Sequence, residues 1–251
     1  MRVLITGASS GLGKAIALEF AEQDVDLVLM ARSSKRLSEV CTLCEKRGAK
    51  TWSCIADVSE TESVRMALAP ILSEGGIDLV IANAGVTGSH SEDGSIESAE
   101  VALAQINTNL GGVVNVVTTV APYMQKAGKG TIVLISSLAG MQPIKDGPAY
   151  GASKAGIIAY GEAMREYLDD YGVFVSVVCP GYIKTPMADL YKSWRPLELS
   201  ASAAAKKVRC AVEKRKPFYP FPALLALSIR LGYLLPWKLR KKAGKRFNYE
   251  R

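Results

Sequence analysis

A tyrosine and a lysine lie four residues apart in the segment AYGASKAG, at Tyr150 and Lys154. In a helix this spacing places both side chains on one face, and only small residues separate them. A phenol with a pKa of about 10 exchanges protons poorly near neutral pH. A neighbouring ammonium favours the phenolate and lowers that pKa toward the range useful for acid–base chemistry. Because the chain holds ten tyrosines, the pair could also arise by coincidence, so other residues must decide.

Short apolar runs alternate with longer amphipathic stretches along most of the chain. Continuous hydrophobicity in the runs indicates strands that are buried on both faces, as in a parallel sheet. The pattern predicts an α/β fold, a single doubly wound parallel sheet of the Rossmann type with helices on both faces. Ligands of such sheets bind beyond the carboxyl ends of the strands. The predicted strands are 3–6, 26–31, 51–57, 78–85, 131–137 and 173–180, and the predicted helices are 11–23, 34–47, 60–74, 98–126 and 150–170.

A glycine-rich turn, TGASSGLG, follows the first predicted strand and opens the first predicted helix. Glycines at such a turn let backbone N–H groups and a helix N-terminus approach a pyrophosphate. The order of strand, turn and helix therefore predicts a dinucleotide site. Its candidate residues are Gly7, Ser9, Ser10, Leu12 and Gly13, and Gly11 completes the glycine spacing.

The scarcity of histidine and the scatter of cysteine argue against several other chemistries. The one histidine, His90, lies in a polar run, which disfavours a serine or cysteine triad with a histidine base. Cys41 and Cys44 form a CxxC with no second pair, so we expect no metal site. Met1 is followed almost at once by an apolar strand, so we expect no secretory signal and a cytoplasmic protein.

Positive charge is concentrated at the C-terminus. The chain carries 31 Lys and Arg against 24 Asp and Glu, and residues 206–251 hold fourteen of the former and two of the latter. We therefore expect one domain at 1–220 and an amphipathic, basic, helical extension at 221–251. Its apolar part is too short to span a bilayer, which needs about 20 apolar residues.

Two roles of this extension remain open. Its leucines could enter the interface of an anionic membrane, with Tyr233 and Trp237 at headgroup level, which would place the protein at the inner face of a membrane. Alternatively, the extension forms a helix that packs on the body over the substrate pocket or a subunit contact. We expect no nucleic-acid binding, because no recognition module accompanies the basic residues.

Several further motifs occur in a fixed order. Asn83-Ala84-Gly85 follows the fourth predicted strand, Ser137 precedes Tyr150 by thirteen residues, and Pro180-Gly181 with Thr185 follows the sixth strand. With TGxxxGxG and YxxxK, these motifs resemble the short-chain dehydrogenase/reductase family in its compact form, over roughly residues 1–216. The resemblance implies an enzyme that interconverts a carbonyl and a secondary alcohol by hydride transfer with a nicotinamide cofactor.

The resemblance also implies catalytic roles. Tyr150 would pass a proton to or from the substrate oxygen, and Lys154 would lower its pKa and hold the nicotinamide ribose. Ser137 would hydrogen-bond the substrate oxygen, and Asn109 would position Lys154 and a relay water. The neighbouring candidates, which fit the register less well, are Ser136 and Asn107.

The end of the second predicted strand bears on the choice of cofactor. An acidic residue there would bind the ribose 2′-hydroxyl of NAD, but Ala31 occupies the position and Arg32 and Ser33 follow. Arginine suits bidentate phosphate binding, so we expect NADP(H) rather than NAD(H). Lys35 and Arg36 are explained equally well as a basic, solvated first helical turn.

The remaining cofactor contacts are implied by the resemblance. Asp57 would meet the adenine amino group, with Val58 beside it. The other implied contacts are Asn83, Ala84, Gly85, Tyr150, Lys154, Pro180, Gly181, Ile183 and Thr185.

The resemblance further implies that the segment 182–202 closes the substrate pocket, as a mobile lid, and that residues 141–148 form the opposite wall. Its apolar residues suggest an apolar or mixed pocket, whereas its cations could bind an anion. The apolar residues are Met187, Leu190, Tyr191 and Trp194, and the cations are Lys184, Lys192 and Arg195.

The end of the chain departs from the family pattern. Many members end in a strand that completes the sheet and a tetramer contact, where this chain has KPFYPFP (216–222) and a basic tail. We therefore expect a homodimer through helices near 98–126 and 150–170, with the tetramer in doubt. An alternative function from another class is a catalytically silent NADP(H)-binding scaffold or redox sensor.

Overall fold

Seven parallel strands form one sheet in the computed structural model, which describes residues 1–88, 96–142, 145, 147–190, 194–236 and 238–239. The order across the sheet is third, second, first, fourth, fifth, sixth and ninth strand, and two short strands pair separately. The strands are β1 (Arg2–Thr6), β2 (Asp26–Ala31), β3 (Lys50–Ile55), β4 (Leu79–Ala82), β5 (Gly130–Ile135), β6 (Val173–Pro180), β7 (Ile183–Lys184), β8 (Leu199–Ser200) and β9 (Phe218–Phe221).

Helices cover both faces of this sheet. They are α1 (Gly11–Glu19), α2 (Ser34–Glu45), α3 (Thr61–Ser73), α4 (Ala99–Ile106), α5 (Gly112–Ala127), α6 (Pro148–Asp169), α7 (Ala201–Glu213) and α8 (Ala223–Tyr233). One face packs against α1, α2 and α7 through residues such as Ile16, Leu37 and Val208. The other packs against α3, α5 and α6 through residues such as Val64 and Val117. The predicted doubly wound α/β fold is confirmed.

The seventh strand of the sheet corrects the expectation for KPFYPFP. Instead of lacking a completing strand, this segment supplies β9, which pairs in parallel with β6 from Val177 opposite Phe218 to Pro180 opposite Phe221. Pro217 and Pro220 made this segment look unlike a strand in the sequence. However, β9 is an edge strand, where a missing backbone donor is tolerated. Phe221 is only 2% exposed and anchors the strand in the core.

The predicted long helix at 98–126 is two helices joined by a π-helical turn. α4 ends at Ile106, the turn spans Asn107–Gly111, and α5 begins at Gly112. A Cβ at Gly112 would meet the side chain of Val58 at 2.6 Å, so α5 approaches the end of β3 closely. Single π turns inside helices frequently mark functional positions, and this one carries Asn109.

The chain after β9 turns directly into α8. Leu225 and Ala226 of α8 are buried, and they form one apolar cluster with Leu138, Val177 and Cys179. Through Leu225 and Ala226, α8 (Ala223–Tyr233) packs on the body. Trp237 and the basic run 240–246 lie outside the described residues.

Candidate active site

A cavity of about 1350 Å³ lies at the carboxyl ends of the parallel strands. It exceeds the roughly 300–1,000 Å³ of a pocket for one small ligand, so it has room for a dinucleotide and a second molecule. All the residues proposed above for catalysis or cofactor contact line this cavity, except Asn109. Asn109 lies directly behind the lining residue Gly85, where a Cβ would be 3.1 Å from Asn109 Oδ1.

The glycine turn after β1 brings backbone close to backbone. Gly7 has φ of 67°, and a Cβ there would lie 2.8 Å from Ala84 Cα. A Cβ at Gly13 would overlap the carbonyl oxygen of Gly7 and lie 2.7 Å from Asn83 Nδ2. No side chain caps α1, so the first N–H groups of this helix remain available to an anion. This geometry fits the pyrophosphate of a dinucleotide.

Thr6 fixes the neighbouring turn and was not predicted from the sequence. Its Oγ1 accepts hydrogen bonds from the backbone N–H groups of Asn83 and Ala84, both at 3.0 Å. Asn83 Nδ2 in turn donates to the Thr6 carbonyl oxygen at 3.0 Å. The available signal in the sequence was a threonine at the last position of β1, the strand that pairs with β4.

Lys154 is buried beside Tyr150 on α6. Its Nζ lies 5.8 Å from the centroid of the Tyr150 ring and donates to the Ile135 carbonyl oxygen at 3.1 Å. Burial lowers the pKa of Lys154 to about 8, and Cys179 partly offsets this effect. The lysine therefore lies buried in the lining of the cavity, and it loses its proton at a lower pH than an exposed lysine does.

Asn109 is held by three hydrogen bonds. Val86 N–H donates to its Oδ1 at 2.7 Å, and its Nδ2 donates to the Val86 carbonyl oxygen and to Ser153 Oγ, both at 3.0 Å. Because a Cβ at Gly85 would also lie 3.5 Å from Lys154 Nζ, Asn109 and Lys154 meet across that glycine. The alternative, Asn107, is exposed and does not line the cavity.

The two adjacent serines after β5 have different partners. Ser136 is buried, and its Oγ donates to the Lys154 carbonyl oxygen at 2.7 Å, which ties β5 to α6. Ser137 Oγ accepts from Ala139 N–H at 3.1 Å and lies 3.5 Å from the Pro180 carbonyl oxygen. Ser137 is only half-buried, so its hydroxyl is the better placed of the two for a ligand.

Arg32 and Asp57 are neighbours, a contact that was not anticipated. Arg32 Nη1 lies 3.5 Å from Asp57 Oδ2, and the arginine side chain is 65% exposed. Burial opposes ionisation of Asp57, but two hydrogen bonds from Ser59 and the charge of Arg32 outweigh it and lower the pKa of this carboxyl. Arg36 also lines the cavity, so the first turn of α2 adds a second cation that the sequence left ambiguous.

The segment 182–202 borders the cavity in part. Tyr182 and Met187 line it, whereas Trp194 and Lys184 do not. Arg195 also lines it, but its guanidinium is paired with Asp189 at 3.3 Å and Glu198 at 3.0 Å. Tyr191, Lys192 and most of 143–146 lie outside the described residues, and of Leu190 only the backbone is described.

The helix α8 forms a further wall of the cavity. The sequence had left open whether the C-terminal extension covers the substrate pocket. Leu225, Ile229 and Gly232 line the cavity, as do Ser228, Leu231 and Leu235. Over the described residues, no helix is long and apolar enough to cross a membrane.

The described residues contain no cluster of three or more His, Cys, Asp or Glu suited to a metal ion. Cys41 and Cys44 are buried within α2, and burial raises the pKa of Cys44 to about 11. A thiol with so high a pKa is a poor metal ligand or redox nucleophile. His90 lies outside the described residues.

Residues 1–196 match the family model for short chain dehydrogenases. An uncharacterized oxidoreductase of Mycobacterium tuberculosis is 34% identical in an alignment that covers 96% of this chain and 96% of that protein. Ketoacyl reductase HetN of a Nostoc species is 35% identical over 216 residues, 84% of this chain and 74% of that protein.

Solved structures of similar fold hold different cofactors. The L-sorbose reductase of Gluconobacter frateurii, complexed with NADPH and L-sorbose, superposes with a TM-score of 0.76 at 24% identity over 87% of this chain and 94% of that one. A short chain dehydrogenase of Mycobacterium paratuberculosis bound to NAD superposes with a TM-score of 0.77 at 24% identity over 87% and 95%. At this identity the likeness concerns the fold.

Proposed function

The chain belongs to the short-chain dehydrogenase family, an oxidoreductase family, and we propose that it is an NADP(H)-dependent enzyme that interconverts a carbonyl and a secondary alcohol. The observation that carries this proposal is the placement of Tyr150 and Lys154 in the same cavity as the glycine turn after β1. A group that can exchange a proton, Tyr150, and a turn of the type that binds dinucleotides therefore line the same cavity.

The residues of the chain divide the work of the reaction. When bound, the nicotinamide supplies or accepts the hydride. Tyr150 gives a proton to the substrate oxygen during reduction and takes it back during oxidation. The positive charge of Lys154 favours the phenolate form of Tyr150, and Ser137 Oγ holds the substrate oxygen as charge develops on it. Asn109 fixes the position of Lys154 across Gly85.

The test of this function is a screen for NADPH consumption across ketones, sugars, sterols and acyl thioesters, with Tyr150→Phe as the matched variant. We expect turnover to fall at least about a hundredfold in Tyr150→Phe, the scale of a lost acid–base group, while NADPH affinity stays nearly unchanged. A variant that keeps more than about a third of the wild-type rate would remove Tyr150 from this role.

The cofactor preference for NADP(H) rests on the end of β2. Ala31 lacks the carboxylate that would bind a ribose 2′-hydroxyl, and Arg32, Ser33 and Arg36 line that end of the cavity. The contact between Arg32 and Asp57 is exposed and worth at most about 1 kcal/mol, so it does not prevent Arg32 from turning to a phosphate.

Arg32→Ala should therefore weaken NADPH binding at least about tenfold, the loss of a charge-assisted hydrogen bond, and leave NADH binding almost unchanged. Fluorescence titration with both cofactors measures this difference. Equal losses for the two cofactors would mean that Arg32 has a structural role and that the preference is wrong.

The alternative, a catalytically silent scaffold or sensor that binds NADP(H), predicts tight cofactor binding with no turnover on any carbonyl. The presence of Ser137, Tyr150, Lys154 and Asn109 together favours the enzyme, because a binding scaffold has no need to keep a complete proton relay.

We further propose a homodimer through α4, α5 and α6. These helices expose the large side chains of Leu103, Tyr123 and Tyr167, which are available for contact with a second copy. Sedimentation equilibrium should give twice the monomer mass for the wild type and the monomer mass for Tyr167→Glu. A monomeric wild type at micromolar concentration would refute the dimer.

We also propose that the extension 221–251 makes a peripheral contact with an anionic lipid surface. The observation in favour of this contact is the outer face of α8. Leu224, Leu227 and Leu234 are exposed and do not line the cavity, and the basic excess of residues 206–251 gives the matching charge. The wild type should cosediment with anionic vesicles at low salt, and the double variant Leu224→Glu, Leu227→Glu should not. A wild type that remains in the supernatant would rule this contact out.

A further inference from the structure

The inner face of α8 presents a row of apolar groups to the cavity. Leu225, Ile229 and Gly232 follow one another at spacings of four and three residues, which places them on one face of the helix. From Leu225 to Gly232 this face runs about 10 Å, at about 1.5 Å of rise per residue. This length is enough for a chain of several carbon atoms to lie along the helix.

One end of this wall lies close to the proposed reactive groups. Leu225 packs in one buried cluster with Leu138, the residue that follows Ser137. A substituent on a carbonyl held by Ser137 would therefore be within reach of the N-terminal end of α8. The rest of the helix lies beyond it.

Two of the polar side chains along this path are already satisfied. Ser228, the polar side chain of α8 at the cavity, donates to the Leu225 carbonyl oxygen at 2.8 Å. Across from it, the charge of Arg195 is balanced by Asp189 and Glu198. Lys145 is a further cation among the described lining residues of the substrate region. It belongs to the opposite wall and is exposed. An apolar group placed along α8 would leave none of these polar atoms without a partner.

We propose that the substrate is a ketone or secondary alcohol with an extended apolar arm, and that this arm lies along Leu225, Ile229 and Gly232. The inference rests on the proposed function and adds the substrate class. In the reduction, the carbonyl carbon gains a hydride from NADPH and its oxygen gains the proton of Tyr150, so that one alcohol and one NADP⁺ form. The arm takes no part in bond making. It contributes to binding because its apolar surface is transferred from water to the wall of the cavity.

Gly232 offers a direct way to block the path. A Cβ at this position would meet nothing within 4 Å, so a larger side chain can be added without disturbing the helix. Gly232→Leu fills the far end of the wall, and Gly232→Ala controls for the change of backbone freedom. Leu224→Ala is the control on the outer face, because Leu224 is 71% exposed and does not line the cavity.

The experiment measures kcat/KM for straight-chain 2-ketones from four to fourteen carbons with NADPH. In the wild type, kcat/KM should rise about twofold to fourfold with each added methylene until the arm passes Gly232. In Gly232→Leu the ratio between the longest and shortest ketone should fall at least about tenfold, but in Leu224→Ala it should keep its wild-type value. A flat dependence on length in the wild type, or an unchanged ratio in Gly232→Leu, would overturn the inference.

A binding measurement separates this inference from the function on which it rests. The same chain-length series of 2-alcohols is titrated by calorimetry into the protein saturated with NADP⁺. Length-dependent affinity that Gly232→Leu removes would support the arm even if no ketone were reduced, and only the proposed reaction would then fail. If ketones are reduced but neither rate nor affinity depends on length, the proposed reaction stands and the arm is refuted.

Discussion

The two ends of the cavity are built in different ways. At the cofactor end, backbone atoms set the geometry: Gly7 and Gly13 bring the turn after β1 against the turn after β4, and Thr6 joins the two by hydrogen bonds. At the substrate end, side chains of α8 and of the segment 182–202 form the walls. The first end requires particular residues at particular positions, and the second requires only apolar character and a suitable shape.

This difference separates binding of the cofactor from choice of the substrate. A change in the glycine turn disturbs contacts between main chains that cannot move apart, because the core is close-packed behind them. A change on the inner face of α8 alters the shape of one wall without disturbing the sheet. Variants at the two ends should therefore have effects of very different size and kind.

The largest effect is expected at the cofactor end, for Gly13→Val. Its side chain would overlap the Gly7 carbonyl oxygen and press on Asn83, so the turn must open. We expect NADPH affinity to fall at least about a hundredfold and stability to fall by about 1–3 kcal/mol. Fluorescence titration and urea unfolding measure the two quantities, with Gly232→Ala as the control at the other end. Near-normal affinity in a folded Gly13→Val would show that the turn is not the cofactor cradle.

Lys154, between the two ends, should make stability depend on pH. Burial lowers its pKa from 10.5 to about 8, so between these values the unfolded chain binds a proton that the folded chain has released. Stability therefore rises as pH rises from about 8 to 10.5, by up to about 3 kcal/mol, and below pH 8 the full cost of the buried ammonium remains. Cys179, which faces Lys154 from β6, opposes part of this effect.

Lys154→Met removes the titrating group and keeps most of the aliphatic stem. In urea unfolding at pH 7 to 10.5, the wild type should gain stability relative to Lys154→Met as pH rises, and the variant should be inactive at every pH. A constant difference across this range would mean that the lysine is not desolvated in the folded protein.

A smaller effect is expected for Glu97, which caps the helix that carries Tyr150. Glu97 Oε1 accepts from Ala149 N–H at 2.7 Å in the first turn of α6, and Gln105 Nε2 donates to its other oxygen at 2.9 Å. Glu97→Ala should cost about 1 kcal/mol of stability, the usual value of a lost helix cap, and Glu97→Gln should restore part of it. Equal stability of Glu97→Ala and the wild type in urea would show that α6 needs no such cap.

The same contrast explains what could be predicted from the sequence. The proposed cofactor end is encoded in glycines and short motifs within single segments, so Gly7 and Gly13 were identified from local pattern and Asn83 from the family resemblance. The strand β9 was missed because Pro217 and Pro220 disguise a strand that depends on its pairing with β6. Thr6 and the contact between Arg32 and Asp57 were missed because they join segments far apart in the chain.

The role of α8 was the least predictable part of the site. Its leucines occur on both sides of the helix, so hydrophobicity alone did not indicate which of them would face the body. Packing of Leu225 and Ala226 against the cluster around Leu138 decides the orientation, and that cluster exists only in the folded chain.

The most direct test of the central claim is transfer of the hydride itself. The protein is incubated with NADPH that carries two deuterium atoms at the reactive carbon of the nicotinamide, so that either face transfers label. The ketone is one reduced in the screen or, if none is reduced, each ketone of the panel. We predict one deuterium on the carbinol carbon of the product, detected by mass spectrometry, and at least about a hundredfold less labelled product with Tyr150→Phe. Tight binding of NADPH with no deuterium in any product would contradict the account and identify the protein as a binding scaffold.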